Sequence, residues 1–515
     1  MNFKNVVKVG GWTLFSRFLG LFRDILLSRY LGAGLLSDAF FVAFKIPNLF
    51  RRLFAEGSMQ AAFVPIFAKL LGEDKAKARE FAAQVFTIFF IILAIFVIVL
   101  EIFAPTVIMV ISPGFKSRGD EIFYLTVDLL RITMPYLLFI SMVAFYSSLL
   151  NSINKFSLVA FLPAFLNLGI IAALVLSSID SAVFKSAAHA GSWGVFWGGV
   201  AQLLCVIWAC YKNNWLIRFS FIKNITQETK LFFKRIVPVI FGAGVYQVNI
   251  VIDVLVASLL PAGAISFLFY ADRIYQLPLA IIGIAIGTVV LPEISSSSKT
   301  TEEKNIIKQN ALIFSLGMSL FATIALVIYS REIIKIIFLG GNFNFEAAHI
   351  TAIVLMIYSL SLPFNILIKV ILPFYYSYGD TKTPLYSTLV CLALNLVLVF
   401  YFASLFGVYG IALATVVASV VNFLILGFFL KQKYDFKLSH EFFMELRKIL
   451  LAALILIALL LCLKYALLDN LEISLFWFRF VFIFLVILIV LIVIFLLKVL
   501  KSYIYFEIIK LFSRK

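Results

Sequence analysis

Basic side chains recur inside the first two apolar stretches of the chain, where a membrane-spanning helix is normally uncharged. They are Arg17, Arg23, Lys45, Arg51 and Arg52, and Arg273 repeats the pattern further along. A charge at the middle of a bilayer costs roughly 2.5–3.5 kcal/mol, so several persist only where they face a water-filled interior or one another. Arginine also presents a planar fork of donors that suits two phosphate oxygens. We therefore predict a polar chamber within a membrane that binds a phosphate-bearing anion.

Acidic residues near these charges leave a second interpretation open, in which ion pairs simply hold the helices together. Arg23 could pair with Asp24, and Arg273 with Asp272. The acidic residues assigned to membrane depth could neutralise all the basic ones; they are Asp24, Asp38, Glu56, Glu101, Asp128, Asp253, Asp272 and Glu293. Net charge therefore does not establish an anionic ligand, and it is the choice of arginine that favours one.

The spacing of the polar residues places them on helix faces. At 100° per residue, one face of the first span holds Thr13, Ser16, Arg17, Gly20, Arg23 and Asp24, and the opposite face holds Phe15, Phe18, Phe22, Ile25 and Leu26. In the second span Asp38, Lys45 and Arg52 are seven residues apart and nearly aligned. Glu56 continues this row, although Pro47 should kink the helix and blur the alignment.

The composition identifies an integral membrane protein. Of 515 residues, 63% are hydrophobic, and the mean hydropathy is +1.09. The formal charge of +17 lies mainly in short loops between apolar runs, which argues against nucleic-acid binding. The sequence contains no paired-His metal motif, phosphate-binding Gly-Lys-Ser/Thr loop or nucleophile elbow. We expect a transporter without a catalytic residue rather than an enzyme.

Apolar runs predict fourteen transmembrane helices. They lie near residues 6–30, 38–68, 82–111, 124–150, 156–178, 191–211, 231–259, 265–292, 307–329, 348–373, 384–405, 408–430, 447–467 and 475–498. Most loop Lys and Arg residues lie on the side of the two termini, which places both termini in the cytoplasm. Arg17 and Arg23 interrupt the first apolar run, so we interpret it as a retained helix rather than a secretory signal.

The chain repeats itself after about 228 residues, as expected for two six-helix halves that run in the same direction. Asp24, Ala33, Gly34, Ser37, Phe40, Phe145, Tyr146 and Asn167 recur as Asp253, Ala262, Gly263, Ser266, Phe269, Phe374, Tyr375 and Asn395. We predict an all-α membrane protein with six-helix bundles at 1–220 and 221–432 around a central cavity. Residues 433–515 add a linker and two further helices.

Several stretches of this sequence resemble the MurJ (MviN) family of bacterial lipid II flippases. The resemblance rests on Ser16 to Asp24, on Ile46 to Gly57, on Ser112-Pro113-Gly114-Phe115 and on Asp272-Arg273, and extends over essentially the whole chain. It implies membership of the multidrug/oligosaccharidyl-lipid/polysaccharide exporter superfamily, location in the inner membrane and transport of undecaprenyl-diphosphate-linked disaccharide-pentapeptide. Other cell-wall synthesis proteins are expected partners, and the last two helices are expected to form a groove for the lipid tail.

The resemblance also assigns roles to residues. Arg17, Arg23 and Arg273 would contact the diphosphate, with Asp38 and Glu56 as acidic partners. The remaining substrate-binding candidates are Ser16, Asp24, Arg52 and Asp272. No organic cofactor is expected; a sodium ion at Asp253 and Asp380 and the membrane potential are candidate energy sources.

Two other functions remain open from the sequence. A drug or polysaccharide-lipid exporter of the same superfamily would depend less on the arginines of the first span. A polytopic glycosyltransferase could use Asp24 or Asp38 as a base. It would require a sizeable domain outside the membrane or metal-binding carboxylates in a loop, and the gaps between apolar runs are short.

Overall fold

The structure, a computed structural model, describes residues 3–54, 58–180, 182–221, 224–295, 301–465, 489, 491–500 and 502–504. These residues form helices and no β-strand; an isolated bridge joins Gly340 and Phe343. The helices are α1 Phe3–Leu31, α2 Leu35–Phe54, α3 Ser58–Glu73, α4 Lys75–Ile102, α5 Ala104–Ile111, α6 Pro113–Ser117, α7 Asp120–Thr133, α8 Pro135–Ser152, α9 Phe156–Phe161, α10 Pro163–Ile179, α11 Ala187–Lys212, α12 Gln227–Leu259, α13 Ala264–Ser295, α14 Thr301–Ile328, α15 Ser330–Phe338, α16 Phe345–Ser359, α17 Leu362–Ser377, α18 Lys382–Phe406, α19 Val408–Tyr434 and α20 His440–Leu463. The predicted all-α fold is confirmed.

Several predicted spans are broken into two consecutive helices. A proline occupies the first turn of α5, α8, α10 and α17, and there a new helix begins. Proline lacks the N–H that a helix interior needs, and its ring clashes with the preceding turn, so it favours such restarts. Within the described residues, nine helical spans are long and apolar enough to cross a membrane, with α7–α8 and α9–α10 each counted as one span. The bent pair α16 and α17 makes a tenth if it is counted as one span. The predicted count of fourteen is consistent with this architecture, although most of the last span, 475–498, lies outside the described residues.

The described chain forms two compact units. The first comprises residues 1–266 with 340–344, and the second comprises 267–339 with 345–515. The predicted boundaries at 220 and 432 therefore do not coincide with the limits of these units, and the division into six-helix bundles stays a prediction.

The first unit has an aromatic core between α3, α4 and α8. The ring centroid of Phe63 in α3 lies 5.2 Å from that of Phe145 in α8 and 5.3 Å from that of Phe81 in α4, and all three rings are buried. Close helix contact occurs elsewhere in this unit, where a Cβ on Gly169 of α10 would lie only 2.6 Å from the carbonyl oxygen of Gly194 of α11. Small residues permit this approach, which is a common way to join helices in a membrane.

The second unit has its own core between α14 and α20. Ile313, Phe321 and Ile324 of α14 pack with Leu456 and Leu460 of α20. The predicted thirteenth span therefore packs against α14 within the second unit.

Candidate functional site

Arg23 and Asp24 form a buried ion pair in the middle of α1. The Arg23 guanidinium donates to Asp24 Oδ1 from Nε at 3.0 Å and from Nη2 at 2.7 Å, and only 6% of Arg23 is exposed. Nη1 donates to Asn167 Oδ1 on α10 at 2.9 Å, and Asn167 Nδ2 donates to the Ser16 carbonyl at 3.0 Å. The predicted Arg23–Asp24 pair is therefore present, and Asn167 connects it to a second helix.

Sequence reasoning identified Asn167 only as a marker of the duplication, not as the partner of Arg23. The signal in the sequence was the amide of Asn167 within the apolar run 156–178, because a buried amide needs hydrogen-bond partners and so indicates a polar contact with another helix. Gly20 lies beside it, since a Cβ on Gly20 would be 3.5 Å from Asn167 Nδ2.

The two faces predicted for the first span are observed in part on α1, since Thr13 and Arg17 of the predicted polar face are exposed. Ser16, Arg23 and Asp24 are buried against the unit, whereas Phe18 and Phe22 are exposed on its outer surface, Phe18 by 71%. Exposed phenylalanines on a membrane helix are suited to contact with lipid. Arg17 has a different environment from Arg23: its side chain is exposed, and among the described residues the structure gives it no hydrogen-bond or ion-pair partner.

Asp38 forms a second buried group, at the start of α2. Its carboxylate accepts from Gly263 N at 2.7 Å, from Ser266 N at 2.9 Å and from Ser266 Oγ at 2.7 Å. Asp38 thus caps the N-terminus of α13, where free backbone N–H groups and the helix dipole favour a negative charge. Ser266 Oγ also bonds Ser37 Oγ at 2.8 Å.

Arg118, which follows α6, lies beside Asp38. Its Nη1 is 4.0 Å from Asp38 Oδ2, and both Nη atoms are buried without a hydrogen-bond partner among the described residues. Burial lowers the pKa of Arg118, and the negative charge of Asp38 opposes that shift. No sequence pattern predicts this contact, because the two residues lie 80 positions apart.

The other polar residues of α2 are less enclosed. Arg51 and Arg52 are half-buried, and Arg51 Nε donates to Asn48 Oδ1 at 3.0 Å. Lys45 borders a narrow apolar cavity between α2, α5 and α12, lined among others by Ile111 and Val254. The predicted site residue Glu56 lies outside the described residues.

Arg273 and Asp272 lie on α13 within the second unit. The Arg273 guanidinium lies over the Phe269 ring, 4.5 Å from its centroid, in a cation–π contact. Asp272 accepts a hydrogen bond from Gln276 one turn later at 2.5 Å. Arg273 is half-buried.

The two candidate sodium ligands occupy different units. Asp253 is half-buried on α12, in the first unit, and Asp380 lies in the turn before α18, in the second. The Asp380 carboxylate accepts from Thr383 N at 2.9 Å, from Thr383 Oγ1 at 2.6 Å and from the Tyr434 hydroxyl at 2.9 Å. Lys433 Nζ is 3.6 Å away.

These neighbours determine the charge state of Asp380. Burial would raise its pKa, but the hydrogen bonds from Thr383 and Tyr434, together with Lys433, more than offset burial and hold the pKa of Asp380 below its usual range. Protein donors thus already surround this carboxylate. Among the described residues, no three His, Cys, Asp or Glu side chains come together as a metal site.

Comparison with known proteins identifies one family over most of the chain. A sequence profile described as "Lipid II flippase MurJ" matches residues 27–486. A probable lipid II flippase MurJ of Rhizobium tropici is 39% identical over 425 residues, covering 81% of this chain and 79% of the relative. The lipid II flippase MurJ of Burkholderia cenocepacia is 32% identical, with 89% of each protein covered.

Solved structures give the same answer for the fold. The structure titled "Lipid II flippase MurJ, inward closed conformation" matches with a TM-score of 0.81 and 29% identity, covering 98% of this chain and all of that one. An inward-facing multidrug resistance transporter of the MATE family matches with a TM-score of 0.64, covering 82% of this chain and 96% of that one. At 14% identity, this second match concerns the fold alone.

Proposed function

The chain belongs to the lipid II flippase MurJ family, and we propose that it carries lipid II from the inner to the outer leaflet of the plasma membrane by alternating access. The family profile over residues 27–486 is the observation that carries this proposal. The substrate is the undecaprenyl-diphosphate-linked precursor of peptidoglycan. The protein is a transporter, and no covalent bond is broken during its cycle.

The physical task is to move a headgroup with two phosphates and two sugars through hydrocarbon while its tail stays in lipid. Arg17 is suited to the first contact with the diphosphate, because its guanidinium is exposed on the same helix as the buried Arg23. Arg23 would then exchange part of its contact with Asp24 for a phosphate oxygen, which costs less than creating an unpaired charge. Arg273 is the third candidate ligand.

Transport also requires a contact that closes one side and later opens. The cap that Asp38 forms on Gly263 and Ser266 is a candidate, because its hydrogen bonds join turns that are 225 to 228 residues apart. Headgroup binding can shift the population between closed and open states only if it binds one state more tightly. Neutralisation of the arginines by the diphosphate supplies that difference.

The setting follows from the same proposal. As a member of this family, the multi-pass protein lies in a bacterial inner membrane, and the distribution of loop Lys and Arg residues favours cytoplasmic termini. Other cell-wall synthesis proteins would deliver or use lipid II, and α20 with the segment after it would bind the lipid tail.

The membrane potential would help return net positive charge toward the cytoplasm, by about 2.3 kcal/mol per charge per 100 mV. Sodium is a further candidate for the energy source, with Asp253 and Asp380 as ligands. The donors around Asp380 would have to be rearranged for it to bind an ion.

Depletion of the protein in cells tests the proposed function. The measurement is the accessibility of lipid II in the outer leaflet to an added colicin that cleaves it. Depletion should lower accessibility while total lipid II rises, and re-expression should restore it. Unchanged accessibility would refute the proposal, whereas rescue by Arg23→Gln would show that the protein exposes lipid II without this arginine and would remove Arg23 from the proposed diphosphate site.

A further inference from the structure

An open cavity of about 670 Å³ lies where α4 begins and α11 ends. The segment 213–221 that follows α11 forms one wall. Its lining combines two cations with aromatic rings: Arg79, Arg218, Tyr211, Phe219 and Phe221. All of these residues belong to the first compact unit.

Hydrogen bonds fix the segment that forms this wall. The Tyr146 hydroxyl donates to the Ile217 carbonyl at 3.1 Å, and Ser220 N donates to Thr87 Oγ1 at 3.0 Å. Phe219 packs against Phe86, and the centroids of the two rings are 5.0 Å apart. Arg218, between these anchors, therefore has a fixed backbone, although its side chain is exposed.

The cationic side of the cavity is also positioned by the fold. Trp215 is buried, and two cations lie over its ring in cation–π contacts. Arg79 Cζ is 5.3 Å and Lys75 Nζ is 5.5 Å from the ring centroid. Arg79 Nη2 also donates to the Asn214 carbonyl at 2.5 Å, which leaves most of its guanidinium N–H groups available. The adjacent carboxylate of Glu80 accepts a hydrogen bond from Gln84 at 3.3 Å. The cavity lining contains Arg79 and Arg218 and no described acidic side chain, so the charge of the lining is positive.

An apolar surface leads away from the cations. Leu204, Trp208 and Tyr211 lie on one exposed face of α11, and Phe221 is 97% exposed beside the cavity. Tryptophan and tyrosine at the end of a membrane span are typical of the headgroup level of a bilayer. The arrangement presents cations at headgroup level and an apolar strip at the depth of acyl chains.

We propose that this cavity binds an anionic glycerophospholipid, with its phosphodiester between Arg79 and Arg218 and an acyl chain along Leu204 and Trp208. Basic pockets at the cytoplasmic ends of membrane helices suit anionic headgroups, and each basic side chain near the surface contributes about 1 kcal/mol. None of the residues that line this cavity is among those proposed to contact lipid II, and the site would make the protein's behaviour depend on the lipid composition of the inner leaflet.

Native mass spectrometry of the purified full-length protein tests the site with phosphatidylglycerol and phosphatidylcholine as probes. The double variant Arg79→Gln/Arg218→Gln should bind phosphatidylglycerol about tenfold to thirtyfold more weakly, and phosphatidylcholine as before. The matched control is Arg331→Gln/Lys335→Gln, which removes the same charge from exposed positions on α15 and should bind both lipids normally. Equal phosphatidylglycerol binding by the two double variants would overturn the proposal.

Two further measurements distinguish a lipid site from a loss of folding and from a site for a free phosphate ester. Arg218→Gln alone should weaken phosphatidylglycerol binding without lowering the melting temperature, because no described residue bonds to its side chain; a loss seen only when the protein unfolds would refute the site. Glycerol 3-phosphate at millimolar concentration should not displace the lipid, since it lacks acyl chains. Full displacement would show that the cavity binds a free phosphate ester instead.

Discussion

Ser37 and Ser266 occupy equivalent positions of the sequence duplication, 229 residues apart, and their hydroxyls are hydrogen-bonded at 2.8 Å. Each lies at a helix start that follows a glycine turn, and Gly34 N donates to Ser37 Oγ at 2.8 Å. At the next position the two repeats differ in residue type, because Asp38 corresponds to Phe267. The acidic residue of one repeat thus caps the helix of the other, and this difference gives Asp38 its role.

Replacement of Asp38 should weaken this contact. Asp38→Ala leaves Gly263 N and Ser266 N without their acceptor, while Ser266 Oγ keeps its hydrogen bond to Ser37 Oγ; the two unpaired N–H groups cost about 1–3 kcal/mol when buried. Disulfide formation in a Ser37→Cys/Ser266→Cys pair reports the contact, and Asp38→Ala should lower its yield severalfold. Asp38→Glu, which keeps the charge, is the control; an unchanged yield with Asp38→Ala would contradict the cap.

Arg23→Gln should destabilise the protein because it removes the guanidinium that donates two hydrogen bonds to the buried Asp24 carboxylate. The expected loss is about 3–5 kcal/mol, measured as a lower melting temperature in detergent. Arg23→Gln/Asp24→Asn removes both charges and should regain most of that stability. The exposure of lipid II at the outer leaflet then distinguishes a substrate-binding role of Arg23 from a purely structural one. In the double variant, exposure should stay low if Arg23 binds the diphosphate. It should recover if the ion pair only stabilises the fold.

Arg17→Gln should act in the opposite way, on transport rather than on stability. The exposed guanidinium of Arg17 has no hydrogen-bond partner among the described residues, so we expect a stability change within about 0.5 kcal/mol. Lipid II at the outer leaflet should fall, while Arg17→Lys should retain part of the function because the charge remains. A normal level with Arg17→Gln would remove Arg17 from the proposed site.

Gly114→Ala should disrupt the contact between α6 and α12. A Cβ on Gly114 would overlap the Ser258 carbonyl, and Gly114 N donates to Ser258 Oγ at 3.2 Å. We expect a loss of about 1–3 kcal/mol from overpacking, seen as a lower melting temperature. Gly72→Ala, which meets open space, is the matched control and should be nearly neutral; equal effects would argue against this packing.

The contribution of Asp380 to the free energy of unfolding should depend on pH only at acidic pH. Its folded pKa lies below the unfolded value of about 3.9, so the stabilisation is fully present above that value and is lost as pH falls through the folded pKa. Asp380→Asn should therefore lower the melting temperature equally at pH 6 and pH 8. The difference should shrink only below about pH 4; a change between pH 6 and pH 8 would contradict the assignment.

The helices could be predicted from the chain because their signal is local. A run of about 20 apolar residues must satisfy its backbone hydrogen bonds internally in lipid, so length and hydropathy indicate each span. The same periodicity correctly assigned Phe18 and Phe22 to the outer face of α1. It did not predict the breaks at Pro135 and Pro163, because a proline can kink a membrane helix as well as end it.

Residue types and repeats by themselves thus determined an all-α membrane protein with charged helix faces and the adjacent Arg23–Asp24 pair. Only the tertiary structure decided that Asn167 completes this pair and that Asp38 lies between α13 and Arg118. The physical reason is distance along the chain: these contacts join residues 80 to 228 positions apart, and helix periodicity fixes which face a side chain takes but not which helix packs against it.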